Sequence, residues 1–189
     1  MGMRAILFGK LPRHGDFVAR GLDARAREAW DAWLSAGLER ARGHLAEGFA
    51  SAHDAAPPWR FVSGPGPLGE DWRAGALAPS VDAAGRRFVI MIAADGLEAD
   101  EAAGFGETLA EAMEDLIYRA FEVGWDANEL NDACGALIAD FEVAVDADAE
   151  PAERWWTLGG QEHDPASLDR APRDLIATLL NRTQSEAET

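Results

Sequence analysis

The sequence predicts an α/β fold, a three-layer αβα sandwich with a mixed sheet, and three observations lead there. Phe88-Val89-Ile90-Met91-Ile92 is continuously apolar, so as a strand it needs cover on both faces. Two segments, 23–45 and 109–121, carry apolar residues at helical spacing and can supply that cover. With 189 residues, 48% hydrophobic and 27% charged, the chain can bury one substantial core and is unlike disordered sequences.

The elements follow in order. Arg4 to Phe8 is a short β-type run stopped by Gly9, and it delivers the loop Lys10-Leu11-Pro12-Arg13-His14-Gly15-Asp16 to its C-terminal end. From Asp23 as N-cap, Ala26, Trp30, Trp33, Leu34, Gly37, Leu38, Ala41 and Leu45 mark an amphipathic helix. Trp59 to Val62 reads as a strand after Pro57-Pro58, and the glycines and prolines of Ser63 to Gly69 make a structured loop. Leu77 to Asp82 leads through a turn at Ala84-Gly85 into the strand Arg87 to Ala94. Beyond an acidic linker at 95–101, Leu109, Met113, Leu116, Ile117, Ala120 and Phe121 mark a second helix that Gly124 stops. A third helix is expected over Asp126 to Asp140, a late strand over Glu153 to Leu158, and a short helix over Arg173 to Leu180. One domain over 1–181 with a polar tail at 182–189 is the expected organisation.

Charge excludes several function classes. The net charge is −17, and 17 acidic residues face a single basic one, Arg119, between Asp95 and Glu150. Such a field repels phosphate backbones and anionic membranes, so nucleic acid and membrane insertion are not expected, whereas a basic protein surface would be attracted. No run approaches the ~18 apolar residues of a membrane span, and the N-terminus carries no secretory pattern, so the expected location is cytoplasmic. The single cysteine, Cys134, sits among Leu130, Leu137 and Ile138 and reads as a core residue.

Candidate chemistry is sparse. His14 and Asp16 lie in a loop at a strand end, and with Asp82 they could serve a hydrolase or a metal, yet no metal-ligand spacing supports them and no cofactor is expected. Gly9-Lys10 is not a phosphate-binding P-loop, because the upstream glycine is replaced by Arg4 and the hydroxyl residue by Leu11. Lys10 is nonetheless the only lysine, so a buried or partner-facing ammonium is a specific alternative to an ordinary surface one. Ser80 lacks the nucleophile elbow of a hydrolase and reads as a structural turn or strand end. Trp30 and Trp33 lie on a helical apolar stripe, and Trp155 and Trp156, adjacent in a strand, must point to opposite faces. A small-ligand sensor using the Ser63 to Gly69 loop is a further possibility.

Several blocks carry a family resemblance. Phe8-Gly9-Lys10-Leu11-Pro12-Arg13-His14-Gly15-Asp16-Phe17-Val18 is the most specific. Trp30-Asp31-Ala32-Trp33-Leu34 with Gly37-Leu38 follows, then Trp59-Arg60-Phe61 leading to Pro79-Ser80-Val81-Asp82 and Gly85-Arg86-Arg87-Phe88. In order and spacing these resemble the TagF N-terminal domain, and Trp155-Trp156-Thr157-Leu158-Gly159 is similar to that family's tryptophan-pair motif. The resemblance implies an αβα fold and a non-catalytic regulator of type VI secretion in the cytoplasm. It further implies a post-translational repressor whose partner is the system's forkhead-associated scaffold protein. On this reading Lys10, Arg13, His14 and Asp16 contact the partner, while Trp30, Trp33, Trp59, Arg60, Ser80, Asp82, Trp155 and Trp156 are structural.

Overall fold

The computed structural model describes residues 2–141, 150–158 and the backbone pairing of 162–163. Strand β1 (Arg4–Gly9) is followed by the short strand β2 (Val18–Arg20) and the long helix α1 (Ala24–Leu45). A 3-10 turn (Ala46–Gly48) leads into helix α2 (Phe49–Ala55). Strands β3 (Trp59–Ser63), β4 (Trp72–Val81) and β5 (Arg87–Leu97) run up and down, before helices α3 (Ala99–Val123) and α4 (Ala127–Ala139). Strands β6 (Arg154–Trp156) and β7 (Glu162–His163) come last. The predicted helix at 173–180, the tail at 182–189 and the domain boundary at 181 lie outside the described residues.

The strands form one sheet in the order β2-β1-β5-β4-β3-β6-β7, and every neighbouring pair is antiparallel. The expected mixed sheet is therefore corrected to an antiparallel one. A continuous apolar strand requires only that both faces be covered, and an antiparallel strand between two helical layers meets that condition as fully as a parallel one. The predicted three layers are present. Alternation along β5 sends Ile90, Ile92 and Ala94 toward α3 and α4, and Val89, Met91 and Ala93 toward α1 and α2. Trp155 joins the α1 side and Trp156 the α3 side, so each packs on a different helical layer.

Local sequence explains the helices. Asp23 caps α1 by accepting from the Ala26 N–H at 2.8 Å, and Trp30, Leu34, Gly37, Leu38 and Ala41 form its buried face, as their spacing predicts. Helix α3 ends at Gly124, whose φ of 77° suits the left-handed cap that glycine adopts without a Cβ clash. Helix α4 opens with a capping box: Asp126 accepts from the Asn128 and Glu129 N–H groups, and Glu129 accepts from the Asp126 N–H. The segment 95–101, read as a linker, is instead the end of β5 and the first turn of α3. Its strand character is masked in the sequence because one of the buried residues there, Asp95, is charged. Asp95 lies between Arg73, whose Nε is 3.1 Å away, and Arg4, which also reaches its carboxylate.

Arg60 ties the sheet to α3. Its Nε and Nη1 each meet a carboxylate at 2.7 Å, of Glu114 and Glu111 respectively, and Arg60 and Glu114 are both buried. Trp30, Trp33, Phe61 and Trp155 form a chain of ring contacts under α1, with Phe61 stacked on Trp155 at 4.6 Å. Trp59 is fully buried in the same layer. The motif tryptophans and Arg60 thus lie inside the architecture.

Candidate functional site

One end of the sheet gathers most of the conspicuous sequence. It brings together the C-terminal ends of β1 and β4, the start of β5, the end of α3 and the start of α4. The turn out of β1 begins at Gly9, with a φ of 138°; a Cβ there would lie 2.1 Å from the Val89 carbonyl oxygen, so only glycine lets the two strands approach. The next residue, Lys10, donates its backbone N–H to that same oxygen at 3.0 Å. Its own carbonyl accepts from the Ser80 hydroxyl at 2.7 Å. Ser80 therefore fastens the loop to β4, in keeping with its reading as a strand-end residue.

The Lys10 ammonium reaches Asp82 at 2.8 Å, and both side chains are buried. The same carboxylate accepts from Arg86 Nε at 2.6 Å, and from the backbone N–H groups of Ala84 at 3.0 Å and Arg86 at 2.9 Å. Lys10 first, and then the Arg86 and Ala84 donors, hold the Asp82 carboxyl far below the usual carboxylate range, against the opposing effect of burial. Asp82 both closes the β4–β5 turn and anchors the β1 loop. This buried pair joins two blocks that lie 72 residues apart.

The outer part of the loop is sealed against the α3–α4 junction. Arg13 donates from Nη1 to the Gly124 carbonyl at 3.0 Å, at the negative end of α3. His14 accepts at Nε2 from the Ala127 N–H at 3.0 Å, satisfying one of the free donors in the first turn of α4. Its backbone carbonyl also accepts from the Ala83 N–H at 2.8 Å. Asp16 is exposed and accepts from the Phe17 N–H at 2.8 Å. Phe17 is 43% exposed, stacked on Phe8 and edge-on to Phe88.

The predicted residues therefore divide. Arg13 and Asp16 present themselves at the surface, His14 is half-buried, and the Lys10 ammonium is an internal brace. His14, Asp16 and Asp82 do not converge: their polar atoms serve the start of α4, the loop itself and the Lys10–Arg86 pair. Among the described residues no three histidine, cysteine, aspartate or glutamate side chains gather as a metal site would require. The Ser63 to Gly69 loop folds on itself through paired hydrogen bonds between Gly66 and Gly69, with the Arg73 guanidinium packed beneath Gly69.

Sequence reasoning missed the neighbouring cleft. Roughly 570 Å³ in volume, it is walled by Lys10, Phe17, Arg42, Arg86, Arg87 and Phe88, together with part of α2. The Arg86-Arg87 pair beside the predicted turn was the available signal. Only the fold brings Arg42 of α1 next to it, donating to the Arg87 carbonyl at 3.1 Å.

Residues 6–137 match the family model of the TagF N-terminal domain, described as type VI secretion system-associated. No curated protein matches the chain. Among solved structures, PA0076 from Pseudomonas aeruginosa PAO1 is similar at 25% identity with a TM-score of 0.61, covering 94% of this chain and 77% of that one. The family match includes the whole β1 loop, Asp82, and the α3–α4 junction on which the loop rests.

Proposed function

Because this chain belongs to the TagF family of type VI secretion-associated proteins, we propose that it is a cytoplasmic regulator of that system which acts by binding and not by catalysis. The finer reading is a post-translational repressor that engages the forkhead-associated scaffold protein. The partner-facing surface is the outer β1 loop, with Arg13, His14 and Asp16 at its rim and Lys10 fixing its shape from within.

The observation that carries this reading is the architecture of the loop. Its inner residues are locked by Gly9, Ser80 and the Lys10–Asp82 pair, while Arg13, Asp16 and Phe17 stay exposed on a fixed frame. A preorganised loop carrying charged and aromatic side chains lowers the ordering cost of association. In support, no helix among the described residues is long and apolar enough to cross a membrane.

A pull-down with the full chain from a lysate containing the secretion apparatus tests the reading. It should recover the forkhead-associated protein at physiological salt, and a double variant Arg13→Glu, Asp16→Lys should lose it. Recovery of no secretion component, with the chain shown to be folded, would count decisively against the reading.

A further inference from the structure

Building on the reading of this end of the sheet as a binding surface, we propose that the cleft beside Phe17 receives an acidic segment of the protein partner. Its carboxylates would lie against Arg42 and Arg86, with an adjoining apolar side chain on Phe17. Charge reverses locally at this cleft. The chain carries −17 overall, yet four cations, Lys10, Arg42, Arg86 and Arg87, wall this cleft.

Only two carboxylates reach those four cations among the described residues. Asp54 takes Arg87 with two bonds, of 2.8 and 2.6 Å, and Asp82 is shared by Lys10 and Arg86. Arg42 meets no carboxylate; it donates to the Arg87 carbonyl and stacks over the Phe49 ring at 4.9 Å. Two positive charges are left without a carboxylate of their own.

The guanidinium groups are also held in place. The Arg86 side chain is 60% exposed but fixed by Asp82 and by the Gly15 carbonyl at 2.6 Å. Phe17 supplies the apolar half of the site: its ring is positioned by Phe8 and Phe88 and lies 5.0 Å from the Lys10 ammonium, with one side open. Fixed cations beside an exposed aromatic ring match a short acidic stretch containing an apolar residue. A long polyanion such as nucleic acid fits poorly, because beyond the cleft it would run across a molecule of net charge −17, whereas a short segment ends within the cationic patch and the rest of that field is screened beyond ~8 Å at physiological salt. The acidic outer face of α3 and the cationic cleft give one molecule two surfaces of opposite sign.

The test pans the full chain against random dodecapeptides displayed on phage. Enriched peptides should carry Asp or Glu next to Phe, Trp or Leu. The best of them, made synthetically and titrated into the 15N-labelled chain, should shift the Phe17 amide and the Arg42 and Arg86 side-chain signals. Arg42→Gln should weaken binding about tenfold, the loss of one charge-assisted contact; Phe17→Ala is the second, independent variant, and circular dichroism checks the fold of both. Enrichment of basic or purely apolar peptides, or binding indifferent to both variants, overturns the proposal. Inorganic phosphate and ATP are run alongside, and if they alone shift these signals the cleft is a small-anion site and the proposal falls. The peptide should also displace the captured secretion component. If the component is captured but not displaced, this proposal fails while the broader reading stands, whereas capture of nothing removes the broader reading itself.

Discussion

Asp82 illustrates how much rests on single residues. One carboxylate orders the β4–β5 turn, neutralises Lys10 and positions Arg86. Its folded pKa is depressed, so its contribution to stability is complete above the unfolded value of about 4 and is lost as pH falls through the folded value. Melting temperature should therefore decline below about pH 4. Asp82→Asn should lower it at neutral pH and flatten that acid-side decline, as differential scanning calorimetry across pH would show. Cys134 is fully buried, and burial pushes its thiol up to about 12. It should resist a disulfide-exchange reagent at pH 8 in the folded chain and react fully in denaturant; rapid reaction of the native chain would contradict the packing described. The sequence singled out both Lys10 and Asp82, but nothing in a linear string shows that they meet. Burial of the only lysine was legible as one alternative, and its partner was not.

Elements differ in how openly they are written. Helix α1 is legible from Asp23 onward because its cap and stripe agree, and Gly124 marks the end of α3 for the same reason. Strand β2 was missed because three residues leave no alternation to read, and α2 because its seven residues are too few to establish a period. The first half of β4 was hidden by Arg73, a charged residue in a buried strand whose Nε is paired with Asp95. Two substitutions test the junctions between elements. Gly9→Ala sets a Cβ against the Val89 carbonyl in a left-handed backbone, and should destabilise the fold by roughly 3 kcal/mol or more, measured by urea unfolding. Arg60→Ala leaves Glu114 buried without its cation and should cost about 3–5 kcal/mol, whereas a similar-sized apolar residue with Glu114→Leu recovers most of it.

Across the whole molecule, two helical layers cover an antiparallel sheet and leave one of its ends to the loop and cleft proposed as the recognition surface. The fold class followed from the need to cover an apolar strand twice, but strand direction did not, since burial on both faces is indifferent to it. The proposed functional end was partly legible. The β1 loop stood out as a sequence block, whereas the cationic cleft depends on Arg42 arriving from a helix 44 positions before Arg86 and could emerge only with the fold. On the proposed reading this end, and not the opposite one, meets a component of the secretion apparatus. A photo-cross-linking residue placed at Arg13, with a control at the exposed Ala99 where α3 begins at the other end of the sheet, tests it most directly. A covalent adduct with the forkhead-associated protein is expected from position 13 and none from position 99; adducts from position 99 alone, or equally from both, would overturn this placement.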